Sequence, residues 1–176
     1  MDLGITIHLT DRCIDIRELA VEAELRGFSS VFIPEHTHIP SSQKTSIPAV
    51  SGIAPEDYPR LPDPLVSLSA AAAVTSKIRL GTGVLLVAQH NPINLAKSTS
   101  TLDVISDGRF EMGIGYGWNR EEMSHHGVNF STRRERVRET MLQVKQRISL
   151  IDHLVADQRL SSIQILKCLM TLRVIF

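Results

Sequence analysis

The stretch LPDPLVSLSAAAAVTSKIRLGTGVLLVAQHNPINLAKSTSTLDVISDGRFEMGIGYGWNREEM (residues 61–123) decides the fold class of this 176-residue chain. Pro64 to Thr75 is rich in Ala and Leu and predicts a helix, and Lys77 to Val87 predicts a strand. Asn91, followed by a proline, is a typical start of the next helix. Residues 109–115 then predict another strand. This alternation is typical of an α/β fold with a parallel sheet.

The same alternation extends in both directions along the chain. Leu3 to His8 predicts a buried strand, and Asp11 can cap a helix that ends before Gly27. Phe28 to Ile33 predicts a second strand. Downstream, a helix is predicted from about Ser131. The chain thus contains about four β/α units.

Chain length limits which α/β architecture can be complete. A doubly wound sheet and a barrel both fit the alternation. An eight-stranded barrel has about 250 residues and rarely fewer than about 200. A chain of 176 residues therefore holds only about half of a barrel, if the pattern is one.

Composition excludes several classes of partner. The chain has 19 Lys and Arg against 19 Asp and Glu, whereas nucleic-acid-binding domains usually carry a basic surplus. Its two cysteines, Cys13 and Cys168, favour a reducing compartment. We find no secretory signal and no apolar run of about 18 residues. The sequence therefore predicts a cytoplasmic protein without nucleic-acid or membrane partners.

The carboxyl ends of the predicted strands hold the candidate functional residues, because parallel α/β folds place their reactive groups there. These places are His8, Pro34 to His36, Gly81 to Val84 with His90 beyond, and Gly113 to Trp118. A histidine directly after a strand can bind a ligand or move a proton, or it can be a polar loop residue. The proline-rich segment 34–63 predicts a lid or binding loop.

Two further site classes are disfavoured. A dinucleotide fingerprint needs G-x-G-x-x-G, but Trp118 occupies the third glycine position after Gly113 and Gly115. The doubly wound nucleotide-binding alternative is therefore weaker than the barrel. The paired histidines lack the spacing of a zinc site, so we expect no metal.

Several motifs occur together in a specific order. They lie in LRGFSSVFIPEH (25–36), in residues 61–123 and in RRERVRETM (133–141), and run RLGTGV, NP, LAK, TLD, S-x-GRF and GxGxGW. The chain resembles the luciferase-like monooxygenase superfamily, most closely its coenzyme F420-dependent oxidoreductase branch. The resemblance covers residues 1–147 and implies the N-terminal half of a (β/α)8 TIM barrel.

The resemblance also implies a cofactor and a reaction. The expected cofactor is coenzyme F420, with FMN as the alternative, and the expected reaction is hydride transfer with a small organic substrate. His36 is the implied catalytic residue, beside the reactive ring edge, and Gly83–Val84 is the implied cis peptide behind the ring. The full implied cofactor site consists of His36, Thr82, Gly83, Val84, Gly115 and Tyr116.

The C-terminal segment departs from the family. Residues 148–176 form a divergent apolar tail, which we interpret as the mark of a truncated or frameshifted member. A half barrel, meaning four of the eight β/α units, exposes two sheet edges through which copies could associate. The alternative function is a non-catalytic half barrel that serves as a binding or assembly module, or is inactive.

Overall fold

A four-stranded parallel sheet forms the centre of the computed structural model, which describes residues 2–47 and 55–156. The strands lie in chain order, each hydrogen-bonded to the next. They are β1 (Gly4–Thr6), β2 (Ser30–Ile33), β3 (Arg79–Thr82) and β4 (Phe110–Glu111). The helices are α1 (Ile16–Leu25), α2 (Pro64–Ala72), α3 (Pro92–Ile105), α4 (Arg120–His125) and α5 (Arg133–Ala156). The predicted succession of four parallel β/α units is confirmed.

The strand register gives the sheet two different faces. One row packs against the helices and belongs to the hydrophobic core: Ile5, Val31, Leu80 and Phe110. The next row lies on the opposite, concave face: Thr6, Phe32, Gly81 and Glu111. This alternation follows from the two-residue period of strands. The helices therefore cover one face, and the other face lines a groove.

Helix starts follow the capping rules, with one correction. The side chains of Asp63 and Asn91 accept hydrogen bonds from the first turns of α2 and α3. The predicted cap of α1 at Asp11 is wrong, because Asp15 accepts from the first turn instead. The Asp11 carboxylate pairs with Arg60 at 2.8 Å.

The strands are shorter than predicted. The expectation of a buried first strand is wrong, because Gly4 and Thr6 in β1 are exposed at the edge of the described sheet. Strand β3 ends at Thr82 rather than Val87, and the Gly83–Val84 peptide that follows is cis. Pairing with the β4 side resumes at a single bridge between Leu85 and Ile114.

Helix α5 carries the last described part of the chain. It begins at Arg133, after a short 3₁₀ turn that starts at Phe130, and packs mainly against α3. Its buried stripe includes Val137 and Val144, as its sequence spacing predicts. The helix continues without a break across position 148, and the remainder of the predicted tail, 157–176, lies outside the described residues. Of the described helices, none has the length and apolar character to cross a membrane.

Arg109 joins the turns at the amino end of the sheet. Its Nε donates to Ser106 O at 2.6 Å, and its two terminal nitrogens donate to Ile78 O, Ala72 O and both oxygens of Thr75 at 2.9–3.1 Å. Burial lowers the pKa of the guanidinium. One side chain thus satisfies carbonyls from the end of α2, the start of β3 and the end of α3.

Replacing Arg109 by Lys tests this role. Lysine cannot reproduce the planar set of donors, so the Arg109→Lys variant should lose about 2 kcal/mol of unfolding free energy, a typical value for lost hydrogen bonds to a charged group. Urea unfolding followed by circular dichroism measures the change. The control, Arg136→Lys on the exposed side of α5, should unfold like the parent chain. Equal stabilities of both variants would contradict the assigned role.

Candidate functional site at the strand ends

The carboxyl ends of β2, β3 and β4 meet at one end of the sheet. Residues 34–36 follow β2, residues 83–86 follow β3 and residues 113–118 follow β4. Gly83 N donates to Ile33 O at 2.8 Å and Leu85 N donates to Gly113 O at 2.8 Å, so the three segments hold one another beyond the regular strands. Three of the four places selected from the sequence therefore converge directly, and the fourth, His8, follows β1 at the same end of the sheet.

Glu35 holds the segment after β3. Its backbone N–H donates to Val84 O at 3.2 Å, and its carboxylate accepts from Leu86 N at 2.6 Å. The same carboxylate pairs with His90 Nε2 at 2.8 Å. Glu35 thus holds the chain directly after the cis Gly83–Val84 peptide, whose presence confirms the expectation from the resemblance.

His90 has a shifted proton affinity because of this contact. Burial by itself would lower the pKa of His90, but the hydrogen bond and charge of Glu35, with the charge of Asp63, hold the pKa above its usual value. The protonated form of His90 is therefore favoured in the folded chain.

His36 is held between two side chains that follow β4. Its Nδ1 lies 2.7 Å from Glu122 Oε2, and Trp118 Nε1 donates to its Nε2 at 3.2 Å. Because an indole N–H can only donate, Nε2 is the acceptor and the ring proton lies on Nδ1, where it is donated to Glu122. The pair fixes both the orientation and the tautomer of His36.

Glu122 is the most buried carboxylate at the site, with its side chain 1% exposed. Its second oxygen accepts from Thr37 N at 2.8 Å and from Thr37 Oγ1 at 3.1 Å. Burial alone would raise the pKa of Glu122, but the hydrogen bonds from His36 and from the two Thr37 donors hold the pKa below its usual value. Asn119, the cap of α4, orients Glu122 by accepting from its backbone N–H at 3.0 Å.

Aromatic rings cover His36. Tyr58 is 4% exposed and meets the His36 ring edge-on, with ring centroids 5.4 Å apart. It also contacts Trp118 at 5.8 Å and His8 at 6.2 Å. Burial raises the pKa of Tyr58 and lowers the pKa of His8. Tyr58 lies in the 34–63 segment, so the described part of this predicted lid covers His36; its contact with a substrate stays a prediction.

Two glycines allow neighbouring strands to approach closely. A Cβ on Gly81 would meet the ring of Phe32, and a Cβ on Gly115 would meet Cγ2 of Val84. The backbone of residue 115 therefore lies directly against the residue that follows the cis peptide.

The six expected cofactor residues lie in four environments. Gly83 and Val84 line the concave groove, which has a volume of about 500 Å³. Gly115 and Tyr116 line a second groove beside α5. Thr82 is fully buried and its hydroxyl donates to Gly113 O at 2.8 Å, so its side chain supports the strands. His36 lies beneath its aromatic cover, outside the linings of both grooves.

The histidine pairs lie together beside α4. His38 Nε2 is 2.8 Å from His125 Nδ1, and Thr37 Oγ1 is 2.7 Å from His126 Nε2. Within the described ranges, no group of three or more Cys, His, Asp or Glu side chains could hold a metal ion. These contacts connect the loop after β2 to α4.

Sequence reasoning missed Glu122, Tyr58 and the whole of α4. A signal for α4 is present, because Asn119 followed three residues later by Glu122 is a typical helix start with an acidic first turn. Glu121 uses the same turn to bind Lys44 N and Thr45 Oγ1, which fixes the loop after β2. The pairing of Glu122 with His36, 86 residues apart, has no local signature.

The His90–Glu35 pair predicts a pH dependence of stability. Because the folded pKa of His90 lies above that of the unfolded chain, its stabilisation is complete below about pH 6.5 and is lost as the pH rises through the folded pKa. The stability advantage of the parent chain over His90→Gln should therefore shrink with rising pH. Urea unfolding between about pH 5.5 and 8.5 measures it. Glu35→Gln should remove the same component, and a constant difference at every pH would contradict the assignment.

Comparison with known proteins gives the family. The luciferase-like monooxygenase model matches residues 5–149. An uncharacterized protein of Mycobacterium tuberculosis is 46% identical over 141 residues, which are 79% of this chain and 50% of that protein. An F420-dependent glucose-6-phosphate dehydrogenase of Kineococcus radiotolerans is 33% identical over 147 residues, which are 83% of this chain and 38% of that enzyme.

A solved structure extends the comparison to the fold. The oxygenating constituent of 3,6-diketocamphane monooxygenase from Pseudomonas putida, a type II Baeyer–Villiger monooxygenase in complex with FMN, superposes with a TM-score of 0.64 at 25% identity. The match covers 82% of this chain and 38% of that one. The chain spans half or less of the length of each of these three proteins. Its four parallel units correspond to half of a TIM barrel, and the chain belongs to the luciferase-like monooxygenase family.

Proposed function

We propose that this chain supplies the ring-binding half of an oxidoreductase that transfers a hydride between coenzyme F420 and a small organic substrate. The observation that carries the proposal is the wall of Val84 against the bare backbone of Gly115, a few residues from the buried His36–Glu122 pair. A wall formed by glycine backbone and the compact Val84 side chain suits a flat ring, and a fixed histidine suits its reactive edge.

The residues present fit such a cofactor. The concave groove is bounded by Gly83, Val84, Met112 and Gly113, which offer backbone and apolar surface, and by the polar pair Arg79 and Glu111. Asp2, Thr6, Ser29 and Ser30 complete its polar lining, so the groove offers hydrogen-bonding side chains beside its apolar and backbone surface. The cofactor, when bound, supplies the hydride chemistry.

Each residue then has a distinct task. Glu122 orients His36 and keeps the ring proton on Nδ1, so Nε2 offers a lone pair to a donor on the ligand once Trp118 has moved. Glu35 holds the Val84 carbonyl and so sets the position of the wall. Thr82 supports the wall from the core, and Tyr116 borders Gly115 on the α5 side.

The choice of cofactor rests on the relatives. An F420-dependent dehydrogenase supports coenzyme F420, and an FMN-bound monooxygenase supports FMN as the alternative. The proposed substrate is a small organic molecule whose identity depends on the 34–63 loop, because loops above a fixed scaffold determine specificity.

One observation favours the second function, a non-catalytic binding or assembly module. His36 Nε2 already accepts from Trp118 and lies beneath Tyr58, so it is closed to a ligand in this arrangement. The two functions differ in a simple measurement. An oxidoreductase half binds the cofactor and opens the aromatic cover, whereas an assembly module does neither.

Titration with coenzyme F420, oxidised and reduced, and separately with FMN tests the proposal. Cofactor fluorescence reports binding, and Trp118, the only tryptophan of the chain, reports the cover directly. Saturable micromolar binding with a change in tryptophan emission is the expected result. A folded chain that binds none of these cofactors would overturn the proposal and leave the assembly module.

A substitution at Gly115 sharpens the test. In Gly115→Ala the new methyl group meets Val84 Cγ2, so the wall must shift and cofactor affinity should fall at least about tenfold, which corresponds to about 1.4 kcal/mol. Gly127→Asn is the matched control. Gly127 has φ +68° with open space around it, and Asn tolerates this conformation. Equal affinities in the two variants, both folded by circular dichroism, would contradict a ring site at Gly115.

A further inference from the structure

The described sheet has two edge strands, β1 and β4, and each is hydrogen-bonded to a neighbouring strand on one side only. Within residues 2–47 and 55–156, β1 pairs only with β2, and β4 pairs only with β3. Unpaired strand edges bind further strands readily, and closure into a barrel removes them. Both edges belong to strands that run in the same direction, so one could continue the other.

The flank beside β4 contains a groove between residues 114–116 and α5. Its floor is Ile114, Gly115 and Tyr116, and its wall is one stripe of α5, with a volume of about 320 Å³. Leu142 in this stripe is 52% exposed although it lies within an apolar lining. The stripe borders the buried stripe of α5, with which it shares Val137, and consists of Arg134, Val137, Arg138, Met141, Leu142 and Lys145.

The flank beside β1 also leaves apolar side chains open. Leu3 is 55% exposed, and Ile5 and Ile7, which alternate with it along the chain, are only half-buried. By the two-residue period of a strand, these three point to the helix-covered face. A further helix over this face would bury them, as α1 to α3 bury the corresponding residues of β2 and β3.

The two flanks carry opposite charge. Residues 133–148 of α5 contain six basic and two acidic side chains, whereas residues 2–26, which include β1 and α1, contain six acidic and three basic ones. Asp2 and Asp11 pair with Arg79 and Arg60, so the acidic surplus of this flank lies on α1 and its caps, where residues 15–26 contain four acidic and two basic side chains. A basic flank beside one open edge and an acidic flank beside the other are electrostatically complementary.

We propose that a second copy of this chain docks edge to edge with the first, β4 of each beside β1 of the other, to close a two-fold eight-stranded barrel. In this arrangement α5 of one copy covers Leu3 and Ile5 of its partner, and each basic flank meets an acidic one. Both contacts are equivalent by symmetry, so the assembly closes at two copies. The concave groove becomes the barrel interior, and the strand ends of both copies surround one mouth.

A charge swap tests the proposal without any cofactor, so its outcome is independent of the proposed function. Light scattering after gel filtration of the full chain should give twice the monomer mass of 19.6 kDa. The basic-flank variant Arg134→Glu/Arg138→Glu and the acidic-flank variant Glu18→Lys/Glu22→Lys should each dissociate at least about tenfold more readily, because like charges then meet. All four side chains are exposed.

The oligomeric state of an equimolar mixture of the two variants is the decisive measurement. Each variant repels itself, but the reversed α5 of one meets the reversed α1 of the other, so an equimolar mixture should recover the dimer. The control Lys77→Glu/Lys97→Glu, two exposed positions away from both flanks, should dimerise like the parent. A monomeric parent chain, larger assemblies, or a dimer that neither reversal weakens would overturn the proposal, as would a mixture that stays monomeric.

Discussion

The buried hydrogen bond between His36 and Glu122 is the contact on which the rest of the site depends. It joins the end of β2 to α4, across 86 positions of sequence, and its carboxylate is almost fully withdrawn from water. A buried carboxylate is costly unless its oxygens are satisfied, and here His36 and Thr37 satisfy both of them. The loop after β2, the short helix α4 and the indole of Trp118 therefore take positions that this pair determines.

Two consecutive residues, Glu35 and His36, connect the segments that follow the strands. Glu35 binds the segment after β3 through Val84 O and Leu86 N, while His36 binds the segment after β4. Because neighbouring residues of an extended segment point in different directions, one short loop can hold partners on two sides. The glycine at position 115 then lets the third segment approach Val84 directly.

The sequence predicted those parts of the fold that depend on local rules. The alternation of strands and helices, the cap at Asn91, and the positive φ at Gly27 all follow from residue type and spacing. The exposed first strand did not follow, because burial of an apolar run depends on how many strands flank it. The structure thus confirms the predicted order of strands and helices but corrects the predicted burial of β1.

For the site, sequence motifs identified the segments at the strand ends but not the side-chain contacts that join these segments. His36, Gly83–Val84 and Gly115 lie in segments that were selected as strand ends, and their roles were implied by the resemblance to the luciferase-like family. Glu122 and Tyr58 were missed, since their roles arise only when distant segments meet.

A crystal structure of this chain grown with coenzyme F420 tests the central claim most directly. We expect the ring to lie against Val84 and Gly115, Glu122 to remain hydrogen-bonded to His36 Nδ1, and Trp118 to have left Nε2. A ring bound elsewhere on the chain, or a ring at this wall with His36 turned away from Glu122, would contradict the account.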